Sequence, residues 1–123
     1  MNFISLIIIS LFTVNLFAKE STNASVSYLL KIDKIYAECV DKTGGITSEM
    51  LDCSATATDK LDKYLWPSKN RKLKQLAERK KFITRIDLFC EGTSASYEGT
   101  SWSVAYSDCL YQQFVKKIQK KSH

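Results

Sequence analysis

Four cysteines, at positions 39, 53, 90 and 109, stand in a chain of 123 residues. In so short a chain they constrain the fold more than any other feature, because each bridge fixes which segments lie side by side. No C-x-x-C pair and no neighbouring histidine accompanies them, which disfavours zinc. The one histidine, His123, is the last residue and has the character of a frayed terminus. Its position leaves no Ser-His-Asp or Cys-His arrangement and no histidine metal cage. Neither a metal nor any other cofactor is expected.

The compartment decides whether the cysteines are thiols or bridges. Met1 to Ala18 carries no charged side chain, and its middle is almost entirely Ile, Leu and Phe. A bilayer-spanning helix needs roughly 20 apolar residues, so this stretch is short for an anchor. It reads as a secretory signal peptide (residues 1–18), removed after Ala18, leaving a single domain over 19–123. Position 19 is lysine rather than cysteine, which argues against a bacterial lipid-anchored form. The expected location is the periplasm or the medium, where four cysteines make two disulfides. Asn23-Ala24-Ser25 is a glycosylation sequon, relevant only outside bacteria.

The rest of the chain shows helical spacing and little alternation, so the fold class is all-α: a small up-down array of three to four helices linked by two disulfides. The first segment, about Ser25 to Val40, puts Leu29, Ile32, Tyr36, Cys39 and Val40 on one face. Gly44 and Gly45 break it. The second opens at Thr47, which can cap the free amides, with Glu49 in the first turn; it runs to about Trp66, where Pro67 ends it. The third starts near Ser68 and runs to Cys90, with Leu73, Leu76, Ala77, Ile83, Ile86 and Cys90 as its buried stripe, widened by Phe82 and Phe89. A Gly/Ser-rich loop, Glu91 to Ser101, leads to the fourth, about Trp102 to Gln119, whose apolar positions are Trp102, Ala105, Tyr106, Cys109, Leu110, Phe114 and Ile118. In an up-down array Cys39 and Cys90 both sit at helix ends at one pole, while Cys53 and Cys109 both lie about two turns inside their helices. Equal depth favours the pairs 39–90 and 53–109, and the other two connectivities stay open.

The run Thr47-Ser48-Glu49-Met50-Leu51-Asp52-Cys53, followed by Asp62 and Leu65, resembles the T-x-E-M-x-x-C … D-x-x-L signature of the lysozyme-inhibitor LprI-like domain family. Arg79, Lys80, Phe82, Asp87 and Cys90 take the places of that family's basic helix, and Gly99-Thr100-Ser101 with Cys109-Leu110 resembles its last element. The likeness covers about Cys39 to Ile118. It implies a small secreted or periplasmic helical protein and a partner that is a lysozyme or another peptidoglycan hydrolase. Phe82 stands where the family has tryptophan, and the span from Leu65 to Cys90 is shorter than the family's.

Charge adds a competing expectation. The formal net charge is +5. Within the third segment, residues 69–85 concentrate Lys69, Arg71, Lys72, Lys74, Arg79, Lys80, Lys81 and Arg85 against one acid, Glu78. Such a face suits an anionic envelope surface or an acidic protein, or is simply solvated. Nucleic acid is not expected, since the chain reads as exported and has no reading motif. A basic inhibitor meets a basic lysozyme with long-range repulsion. If inhibition operates, the 91–101 loop is the element to enter a cleft, with Tyr97 and Trp102 as anchors and Glu91 or Glu98 on a cationic rim. The candidate binding residues are therefore Lys72, Arg79, Lys80, Lys81, Arg85, Tyr97 and Trp102. The carboxylate pairs Asp59/Asp62 and Glu49/Asp52 have glycosidase-like composition but also match surface pairs with Lys60 and Lys63, and no enzymatic activity is expected. An immunity protein against a wall-degrading toxin has the same mechanics.

Overall fold

A computed structural model describes residues 24–67 and 72–121. The expected leader, the Asn23 sequon, Lys69, Arg71 and His123 lie outside the described residues. Four helices account for nearly all of them: α1 (24–42), α2 (Thr47–Leu65), α3 (Leu73–Thr93) and α4 (Thr100–Lys121). Each helix reverses the direction of the one before, as the short connections require. α2 packs on α4 more extensively than α3 does.

The α1–α2 turn is built by Thr43. Its hydroxyl donates to the Val40 carbonyl at 2.7 Å and accepts from the Gly45 amide at 3.3 Å. Gly44 and Gly45 follow at φ of 61° and 89°, which a β-carbon would strain. Thr47 is the first residue of α2 rather than its cap. Ile46 precedes it without a side-chain cap, and the polar work of the turn falls to the buried Thr43. α2 stops where the Trp66 amide bonds back to the Asp62 carbonyl at 2.9 Å, just before Pro67.

The core joins Leu29 and Ile32 of α1, Ala57, Leu61 and Leu65 of α2, Phe82 and Ile86 of α3, and Tyr111, Phe114 and Ile118 of α4. Small residues at Ser54 and Ala57 bring α2 close to α4, where the Ser54 and Ser107 hydroxyls meet. α1 flanks this seam on one side: Tyr36 donates to Asp108 at 3.3 Å and Tyr111 to Asp33 at 3.2 Å. α3 flanks it on the other, with Phe82 edge-on to Phe114 at 5.1 Å and Tyr106 donating to Asp87. The expected stripe on α3 holds for Phe82, Ile86 and Cys90 and fails towards the N-terminus. Leu73 is 85% exposed, Leu76 41%, and Ala77 is exposed as well, because the first turns of α3 carry no neighbouring helix on that side; Phe89, expected to widen the stripe near the other end of α3, is 50% exposed.

The bridges are Cys39–Cys53 and Cys90–Cys109, with Cα atoms 5.8 and 5.6 Å apart. The expected pairs 39–90 and 53–109 do not form. Depth along the helices was the wrong criterion, and rotation about them is the right one. Ser54 faces α4, so Cys53, about 100° back around α2, faces α1. Ser107 faces α2, so Cys109, about 200° further on, faces α3. Each bridge therefore joins consecutive helices. Both lie at the pole where α1 and α3 end; the opposite, open pole holds the ends of α2 and α4 and the start of α3.

Candidate functional site

Lys81 and Arg85, four residues apart on α3, share one face as helical geometry demands. At the end of α4, Lys117, Lys120 and Lys121 extend the stripe begun by Phe114. These five cations and Glu78 surround a groove of about 580 Å³ at the open pole, floored by Leu65, Trp66 and Phe82. The Arg85 guanidinium and the Lys117 ammonium each lie 5.6 Å from the Phe82 ring centroid, so the ring's π-face fixes two of them. Trp66 backs that ring at 5.3 Å. Among the described residues, no carboxylate lies within ion-pair distance of any of the five cations. Lys120 and Lys121 suit the negative end of the α4 dipole. The start of α3 is the reverse: Lys72 and Lys74 stand at its positive end, with no acid in the first turn. The groove thus gathers repulsion that an anion would relieve.

The five basic residues expected to bind separate into three groups. Lys81 and Arg85 line the groove. Lys72 and Lys80 are exposed beside it on α3. Arg79 faces the other way: its Nε and Nη2 donate to the two Asp62 carboxylate oxygens at 2.8 and 2.7 Å. That two-point bond couples α3 to α2 and holds Arg79 outside the groove lined by Lys81 and Arg85. Lys117, Lys120 and Lys121 were missed because the lysine-rich end of the chain looked like tail. Carrying the Phe114 stripe on by three and seven residues would have found Lys117 and Lys121.

The 91–101 loop is also reassigned. Glu91, Gly92 and Thr93 belong to α3, and Thr100 and Ser101 to α4. The remaining connector, 94–99, is pinned by the Ser94 amide on the Cys90 carbonyl and the Tyr97 amide on the Ser94 carbonyl, both at 3.0 Å. Ser94 is buried. Tyr97 is 51% exposed, whereas Trp102 is half-buried and stacks on Tyr106 at 4.9 Å. Of the two expected anchors, Tyr97 is the more exposed.

A second groove, about 500 Å³ between α2, α3 and α4, carries Asp59, Asp62 and Asp87. Each carboxylate has a partner: Asp59 takes Lys63 at 2.9 Å, Asp62 takes Arg79, and Asp87 accepts from Tyr106. Burial, then the bond to Asp87, pushes the Tyr106 hydroxyl up to about 12. Burial and the neighbouring Asp108 likewise push Tyr36 up to about 12, and burial raises Tyr111 further. These tyrosines are held as neutral donors. Among the described residues no group of three or more His, Cys, Asp and Glu side chains is placed to hold a metal, and no helix is long and apolar enough to cross a membrane.

No family model, curated protein or solved structure matches the chain.

Proposed function

We propose that the chain is an exported, non-catalytic binding protein that engages an anionic envelope component through the groove at its open pole. The observation that carries this reading is the convergence of Lys81, Arg85, Lys117, Lys120 and Lys121 on one aromatic floor without paired carboxylates. Two disulfides and an uncharged apolar leader support export. The pairing of Asp59, Asp62 and Asp87 with Lys63, Arg79 and Tyr106 supports a scaffold role for those acids. The test is retention on polyphosphate across salt. Lys81→Gln/Lys117→Gln should weaken it at least tenfold and flatten its salt dependence. Unchanged retention would refute the reading.

A second reading, inhibition of a lysozyme or another peptidoglycan hydrolase, has its own support at the other pole. There Tyr97 projects beside Glu98, and Asp41, Glu49, Asp52 and Glu91 occupy the adjoining helix ends. That end suits a basic hydrolase in a way the net charge does not. The LprI-like run at 47–53 lies at the same end. An inhibition assay with a basic lysozyme, comparing the native chain with Tyr97→Ser, tests it; no inhibition by the native chain removes it. Immunity against a wall-degrading toxin would use the same surface.

A further inference from the structure

The first turns of α3 project from the open pole with almost every side chain in solvent: of residues 72–81, only Arg79 is drawn inward. Leu73 is 85% exposed and Leu76 41%. Three residues apart, they are neighbours on the helix surface. A leucine this exposed has no role in the core it adjoins, and its helix begins with lysines that oppose their own dipole. Lys74 and Lys80 flank the pair, and the groove cations of the same pole lie just behind.

From this juxtaposition we infer that the open pole docks on an anionic lipid leaflet, with Leu73 and Leu76 entering the headgroup–acyl boundary and the lysines engaging phosphate headgroups. The inference rests on the anion-binding reading and names its ligand. Aliphatic side chains rimmed by lysine are the composition of interfacial helices. Charge complementarity selects an anionic leaflet over a neutral one. The composition also distinguishes lipid from an acidic protein. Protein interfaces are depleted in lysine and enriched in arginine and aromatic anchors. This pole presents lysine almost throughout, with Arg85 as its one guanidinium among the five groove cations. A lysine ammonium is a hydrated point charge without a directional fork, which suits a diffuse headgroup layer better than a fixed carboxylate.

Sedimentation with phosphatidylglycerol-containing vesicles and with pure phosphatidylcholine vesicles tests the inference. The native chain should partition onto the anionic vesicles alone. Leu73→Ser/Leu76→Ser should lower that partitioning by roughly tenfold or more while leaving polyphosphate retention and thermal stability unchanged. Lys80→Gln/Lys81→Gln should lower it by roughly fivefold per cation removed. Leu88→Ser provides the control: Leu88 is 65% exposed on the same helix but remote from the open pole, and its loss should change nothing. Vesicle binding indifferent to the Leu73/Leu76 pair, or polyphosphate retention without vesicle binding, overturns the lipid inference and leaves the anion-binding reading standing. Failure to bind either ligand overturns both.

Discussion

Replacing Cys90 by serine tests the helix arrangement at its most specific point. In the structure its partner is Cys109, on the next helix. The variant should therefore expose one thiol at Cys109 and keep the Cys39–Cys53 bridge intact. A crossed array would instead expose Cys39. Alkylation under non-reducing conditions, followed by digestion and mass mapping, reads the difference directly. Removing the whole bridge with Cys90→Ala/Cys109→Ala gives the energetic counterpart. The bridge closes a loop of 19 residues, whose chain-entropy contribution is about 3 kcal/mol. For a domain of this size that loss lowers the unfolding midpoint by about 12–24 °C. The 14-residue loop closed by Cys39–Cys53 contributes a similar amount, about 3 kcal/mol. The longer loops of a crossed pattern would each contribute about 4 kcal/mol, too close to separate by melting alone, so the mapping decides. A free Cys39 in the Cys90→Ser protein would refute the arrangement of α1 and α3 on opposite flanks of the α2–α4 seam.

Three further outcomes follow from the packing. Arg79→Gln breaks the two-point bond to Asp62 and should cost about 1–2 kcal/mol in chemical denaturation while leaving polyphosphate retention intact; lost retention would return Arg79 to the binding set. Leu61 is fully buried at the centre of the core, so Leu61→Ala should cost about 2–5 kcal/mol, measured in urea; a smaller effect would mean the helices close over the gap. Tyr36 and Tyr106 have hydroxyls pushed from the ordinary 10 up to about 12. The folded state therefore holds protons that the unfolded chain releases, and stability present below pH 10 drains away as pH rises towards 12. Tyr36→Phe should flatten that alkaline fall in midpoint, and an unchanged slope would show that Tyr36 does not couple to it.

Much of the fold was legible because its determinants are local. Leu29 and Ile32 on α1, Phe82, Ile86 and Cys90 on α3, and Phe114 and Ile118 on α4 are buried where helical periodicity placed them. Gly44 and Gly45 turn the chain for the backbone reason their sequence suggested. The errors arose where the answer depended on which helices adjoin. Periodicity fixes a face without naming its neighbour, so it paired the cysteines by depth and buried Leu73 and Leu76 against nothing. It also passed over Tyr111, nearly inaccessible at 1% exposure, because the deciding partner, Asp33, lies 78 residues away. Arg79 shows the same limit: its charge was plain, but its commitment to Asp62 was not. The basic groove was half visible, with Lys81 and Arg85 on one helix and the remaining three cations on another.

The separation of the two poles changes what the net charge of +5 means. A helix of about 20 residues is roughly 30 Å long, whereas mobile ions at physiological strength extinguish a surface charge over about 8 Å. An approaching body senses one end of the molecule and almost nothing of the other. The protein behaves as two electrostatic objects of opposite sign sharing one core. The sum of their charges describes no encounter that either end undergoes. The field at the cross-linked end attracts cations and the field at the lysine end attracts anions, each independently of the other.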